Sequence, residues 1–158
     1  LAIAVLEARG FTEEDFARSH PGGSLGRRLL LHVEDVMRKG DELPRVGPDT
    51  PLGAGLLEMS RKGLGMTTVV DAAGRVLGIF TDGDLRRTLD KQLDIHATRM
   101  ADVMTTRCKV AEPRMLAAEA VHLMETHRIT SLPVVQSNDD RLLVGALNVH
   151  DLLRAGVM

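Results

Sequence analysis

Apolar and polar positions in this chain recur with two periods, and the places where the period changes mark the elements. Leu1, Ala4, Val5 and Ala8 share one helical face, and Gly10 is placed to stop that helix. Thr12-Glu13-Glu14-Asp15 opens a second short helix. Ser19-His20-Pro21-Gly22-Gly23 breaks the pattern, and residues 24–31 resume as a short basic-apolar helix. From Val33 onward, short strands and helices alternate. A short helix at Asp35-Val36-Met37 leads to a strand around Val46, and Thr50-Pro51 starts the next helix, since proline suits a first helical turn. Leu52, Leu56 and Met59 form the buried face of that helix. Strands follow at 67–70 and 76–80, split by the turn Ala72-Ala73-Gly74, and a basic helix closes the unit.

The same order then returns. Asp35-Val36-Met37 recurs as Asp102-Val103-Met104, 67 residues on, and Gly78, Asp84, Leu85 and Arg87 recur at that offset as Gly145, Asp151, Leu152 and Arg154. Met59 and Val69-Val70 recur as Met124 and Val134-Val135, 65 residues on. An offset that drifts by two and returns marks a duplication with compensating changes in turns. The second copy predicts a strand around Val110 and a helix from Pro113 with Leu116, Ala120, Leu123 and Met124 inward. Strands follow at 132–135 and 142–147 around Ser137-Asn138-Asp139, then a last helix. One β-α-β-β-α unit of about 55–60 residues is too small to be comfortable alone. Two copies packed face to face bury a shared core, which makes the expected fold α+β.

The chemistry sits where a strand turns into a helix, at Gly78-Ile79-Phe80-Thr81-Asp82-Gly83-Asp84-Leu85-Arg86-Arg87. Thr81 falls at the helix N-cap and Asp84 three residues later, the spacing of a capping box. Backbone N–H groups at such a helix start, with a hydroxyl and a carboxylate beside them, suit the phosphate and ribose of a nucleotide. A capped helix also needs no ligand to justify it. Arg87, one turn past Asp84, suits a phosphate or carboxylate. In the second copy Asn148 stands in place of the hydroxyl residue, Asp151 is kept, and His150 beside it is in reach of a ligand.

Composition narrows the partners. The 158 residues carry 20 basic and 22 acidic side chains, a formal charge of −2, so no broad field for nucleic acid is expected. There are three Phe (Phe11, Phe16, Phe80), no Trp and no Tyr, so a bound base must lie between aliphatic side chains rather than stack. The single cysteine, Cys108, excludes an internal disulfide and fits a reducing cytoplasm. No apolar run reaches the length of a membrane span. His32, His96, His122 and His127 lack metal-ligand spacing, and Met37, Met59, Met66, Met104 and Met124 read as core. The chain opens at Leu1 inside a helical pattern, which predicts a piece of a longer protein.

Residues 33–154 resemble a tandem pair of CBS (cystathionine β-synthase) domains. The family's Gly-h-h-[Thr/Ser]-x-x-Asp signature is matched in full by Gly78-Ile79-Phe80-Thr81-Asp82-Gly83-Asp84 and in part around Asn148 and Asp151. The resemblance implies a pseudo-twofold disc with a nucleotide cleft between the modules. It assigns ligand contacts to Thr67, Thr81, Asp84, Arg87, Ser131, Pro133, Asn148, His150 and Asp151, centred on Thr81 and Asp84. The segment from Leu1-Ala2-Ile3-Ala4-Val5-Leu6 through Ser19-His20-Pro21-Gly22-Gly23-Ser24-Leu25-Gly26-Arg27-Arg28-Leu29 resembles the end of the α/β sugar isomerase domain of D-arabinose 5-phosphate isomerases.

That resemblance implies a tail and linker at 1–32, a first CBS domain at 33–92 and a second at 93–158. It places the family's catalytic histidine at His20, with the other catalytic residues upstream, so these residues alone should not isomerise a sugar. The expected ligand is CMP-Kdo, the activated end product of the pathway such an enzyme feeds. An adenine nucleotide and a ligand-free dimerisation module are the alternatives. No metal or resident cofactor is expected. The implied assembly is a CBS-pair dimer, or a tetramer in a full enzyme, in the cytoplasm.

Overall fold

In the computed structural model, residues 30–157 are described, so the readings at 1–29, His20 among them, lie outside the described residues. The first copy runs α1 (Val33–Val36), a 3-10 turn (Gly40–Glu42), β1 (Arg45–Val46), α2 (Leu52–Lys62), β2 (Met66–Val70), β3 (Val76–Thr81) and α3 (Asp82–Asp90). The second runs α4 (Met100–Val103), α5 (Ala117–His127), β4 (Ser131–Val135), β5 (Leu143–Asn148) and α6 (Val149–Arg154). The α+β fold and its internal repeat are as expected.

Each copy is built on an antiparallel hairpin. β2 pairs with β3 and β4 with β5, and both hairpins carry an irregularity at the same repeat position, between Val69 and Val70 and between Val134 and Val135. β1 adds to β2 in parallel, opposite Thr68 and Val69. The strand expected around Val110 is reduced to a single parallel bridge, Ala111 to Val134. Ala111 exchanges both backbone bonds with Pro133 and Val135, and the chain then turns, the Met115 N–H reaching back to the Glu112 carbonyl. The helix expected from Pro113 starts instead at Ala117, because the Pro113 and Met115 carbonyls accept bonds from α1.

The two copies are knitted together by crossing. The Val33 and Glu34 N–H groups donate to the Met115 and Pro113 carbonyls, and the Met100 and Ala101 N–H groups donate to the Thr50 and Pro48 carbonyls. The opening helix of each copy therefore docks on the other. Val33 lies in a core with Ala117, Ala120, Met124, Leu132, Val134, Leu147 and Leu152, while Met100 lies in one with Leu52, Met59, Val69 and Phe80. A third cluster joins Leu43, Leu64, Met66, Val76 and Ile79 to Val135, Leu143 and Ala146, the shared interface. At the pseudo-twofold axis the Val76 N–H donates to the Arg141 carbonyl (2.8 Å) and the Leu143 N–H to the Gly74 carbonyl (3.0 Å).

Beyond each opening helix the chain bridges to the far hairpin, Arg38 against Ala146 and Thr105 against Ile79. This crossing explains the two signature glycines. A Cβ on Gly78 would sit 2.6 Å from the Thr105 carbonyl oxygen, and one on Gly145 would sit 3.1 Å from that of Arg38 and would collide with Met37. Only a residue without a side chain lets the crossing segment lie flat on the strand.

Candidate ligand-binding clefts

Each crossing segment ends beside the buried carboxylate at the start of the facing helix. At α3 the sequence reading holds: Thr81 is the N-cap in extended conformation (φ −119°, ψ 173°), with a capping box to Asp84. The Thr81 N–H donates to Asp84 Oδ2 (2.9 Å) and the Thr81 hydroxyl donates to the same oxygen (3.2 Å). Arg87 Nη2 (2.5 Å) and the Thr105 hydroxyl (3.0 Å) both donate to Asp84 Oδ1. A carboxylate offers about four lone-pair positions. All of them on Asp84 are engaged within the protein.

At α6 the arrangement differs. Asn148 caps the helix by accepting from the His150 N–H (2.6 Å), and its amide donates to the Leu64 carbonyl (3.1 Å), which also accepts from the Ser131 hydroxyl (2.8 Å). Ser131 and Asn148 thus tie β4 and β5 to the end of the first copy's α2 segment. Asp151 is left to two guanidiniums. Arg38 approaches it through Nε and Nη2 at 3.2–3.3 Å, and Arg154 Nη2 donates to Oδ1 at 2.6 Å. Asp151 Oδ2 receives only the Arg38 Nε contact, so it keeps acceptor capacity.

A cavity of about 440 Å³ opens here, lined by Val36, Met37, Arg38, Lys39, Glu42, Asp151 and Arg154. That volume falls in the range of small-molecule sites. A second cavity, about 400 Å³, lies between α2 and α3, lined by Leu56, Met59, Ser60, Gly63, Gly65, Asp82 and Leu85. It is mainly apolar and carries one charged side chain.

The structure brings Thr81, Asp84 and Arg87 together around one helix start, and Asn148, His150 and Asp151 around the other. Thr67 and Pro133 are buried within β2 and β4, in register with Phe80 and Ala146, and do not line the 440 Å³ cavity. Arg38, Lys39 and Glu42 do line it, and sequence reasoning missed them. The 67-residue offset aligns Arg38-Lys39 with Thr105-Thr106. It does not say that the crossing carries residue 38 to the carboxylate of the other copy.

Cys108 is half-buried, and its thiol titrates above the ordinary value; burial raises it, against the opposing pull of the Arg141 guanidinium 3.5 Å away. Among the described residues no group of three or more His, Cys, Asp or Glu side chains is placed to hold a metal ion, and no helix is long and apolar enough to cross a membrane.

A duplicated α+β unit with crossed opening helices, a buried carboxylate at each crossing and a cavity between the copies beside Asp151 defines a tandem module pair. The chain belongs to the CBS domain family, whose family model matches residues 33–91 and 100–157. It is 61% identical over all 158 residues to the arabinose 5-phosphate isomerase KdsD of Pseudomonas aeruginosa, covering 48% of that protein. It is 52% identical, again over its whole length, to KdsD of Escherichia coli, covering 47%. The chain spans about half the length of the curated relatives it matches. CBSX2 from Arabidopsis thaliana superposes with a TM-score of 0.66 at 25% identity, over 80% of this chain and 94% of that one. The CBS domain pair of protein MJ0100, in complex with 5′-methylthioadenosine and S-adenosyl-L-methionine, gives 0.69 at 20% identity, over 79% and 94%. At that identity the likeness is one of fold.

Proposed function

We propose that this chain is the regulatory, nucleotide-binding CBS pair of an arabinose 5-phosphate isomerase, and that its ligand is CMP-Kdo. The observation that carries the first half is the 61% identity to such an isomerase, extending over every residue of the chain. In this reading the isomerase half lies upstream, His20 belongs to its catalytic site, and residues 33–92 and 93–158 are the two modules of a homo-oligomeric sensor. The chain alone turns over no sugar.

The chemistry of the clefts supports the second half. A cytidine sugar-acid nucleotide presents a ribose diol, a phosphate and a carboxylate. A buried carboxylate accepts from the diol, while guanidiniums and a helix start receive the anions. Aliphatic walls such as Val36 and Met37 hold a base without stacking. One observation favours the ligand-free dimerisation reading: Asp84 is already satisfied by Thr81, Arg87 and Thr105. Solved CBS pairs with adenosyl ligands make an adenine nucleotide the other rival.

Isothermal calorimetry with CMP-Kdo, CMP, AMP and ATP separates the three. Saturable heat with CMP-Kdo, tighter than with AMP, is expected. Binding of AMP and ATP with none of the cytidine ligands overturns CMP-Kdo, and silence from all four leaves the dimerisation module.

A further inference from the structure

The surroundings of the two buried carboxylates are not equivalent, and the difference lies in the crossing segments. Around Asp84 there is one guanidinium, from Arg87, and a hydroxyl, from Thr105. Around Asp151 there are two guanidiniums, Arg38 and Arg154, and Lys39 and Glu42 line the same cavity, so three cations face two carboxylates and the lining keeps one positive charge. Asp151 is held at 8% side-chain exposure and Arg38 at 24%, while Arg154 is 70% exposed, so the Arg38 charge is the one partly shielded from water and felt at short range. Lys39, exposed beside them, lines the same 440 Å³ cavity, where the repeat places Thr106 in the other copy. Arg38 is held from the far copy, 113 residues away in sequence, so its position depends on the module pairing and not on local helix geometry.

From this we infer that Arg38 determines ligand specificity: it makes the Asp151 cleft the one that selects an anionic nucleotide. Asp151 Oδ2 accepts a sugar hydroxyl while Arg38, with Lys39, meets the phosphate or carboxylate. The surroundings of Asp84, with Thr105 and Thr106 at those positions, lack this selection. The inference rests on the nucleotide-binding reading and adds which cleft binds and which residue sets the preference for charge.

The test is amide NMR and calorimetry on the full chain with CMP and, as the uncharged probe, cytidine. The unaltered chain should favour CMP over cytidine by tenfold or more, with shifts centred on residues 36–42 and 149–154. Arg38→Thr, which copies residue 105, should weaken CMP at least tenfold and leave cytidine within threefold. Lys39→Ala, at an exposed side chain that a folding defect does not reach, should weaken CMP about threefold. A CMP affinity unchanged in both variants overturns the inference and leaves the reading standing. So do CMP shifts confined to residues 81–87 and 103–106. An unaltered chain that binds none of CMP, AMP and CMP-Kdo overturns both.

Discussion

Gly78→Ala tests whether the crossing segments hold the two copies together. The added methyl would lie 2.6 Å from the Thr105 carbonyl oxygen and 3.0 Å from Met104 Sδ. The sulfur can swing away, but the carbonyl is backbone, fixed by the paired bonds Ile79 N–H to Thr105 O (3.0 Å) and Thr105 N–H to Ile79 O (2.7 Å). Relief requires the segment to lift and both bonds to lengthen. Losing two bonds costs about 2 kcal/mol at roughly 1 each, and overpacking adds roughly 1–3. A destabilisation of about 3–5 kcal/mol lowers Tm by roughly 6–20 °C in a chain of this size. With no Trp or Tyr, unfolding in urea is followed by far-ultraviolet circular dichroism. Gly47→Ala is the control, since its nearest neighbour, Thr50 Oγ1, would stand 3.8 Å away; it should stay within about 0.5 kcal/mol. If the two variants unfold at the same urea concentration, the crossing contact does not carry the stability assigned to it.

Arg128 ends α5 in the left-handed region (φ 54°, ψ 47°), where the first copy has Gly63 at φ 71°. Arg128→Gly removes roughly 1–2 kcal/mol of steric cost against about 0.5–1 of added chain entropy, so a small rise in Tm is expected and a fall contradicts it. The raised Cys108 thiol carries less thiolate at a given pH, so iodoacetamide should alkylate it more slowly than glutathione at pH 8. The fold favours the neutral thiol, so its contribution to stability is complete below the ordinary thiol value and is lost as pH rises through the raised one. Urea midpoints that rise on the alkaline side, or alkylation as fast as glutathione, would contradict this.

Much of the fold was legible because duplication prints every local decision twice. The hairpins, the Thr81 cap and its Asp84 partner depend on residues within a few positions of one another, and sequence spacing reads such contacts directly. What was not legible is the exchange of opening helices. Val33 and Met100 are apolar in either assignment, and nothing local says on which copy each is buried. The same gap hid the site. Arg38 and Asp151 are 113 residues apart and meet only because the crossing is made. The helix expected at Pro113 failed for a related reason: the Pro113 and Met115 carbonyls serve α1 rather than a first turn.

Diffraction from crystals of the chain soaked in CMP-Kdo bears most directly on the account. It predicts density for the nucleotide in the cavity bounded by Met37, Arg38, Lys39, Asp151 and Arg154, with a sugar hydroxyl on Asp151. A cavity that holds no added density under saturating ligand, with Asp151 contacted by Arg38 and Arg154 alone, would contradict it.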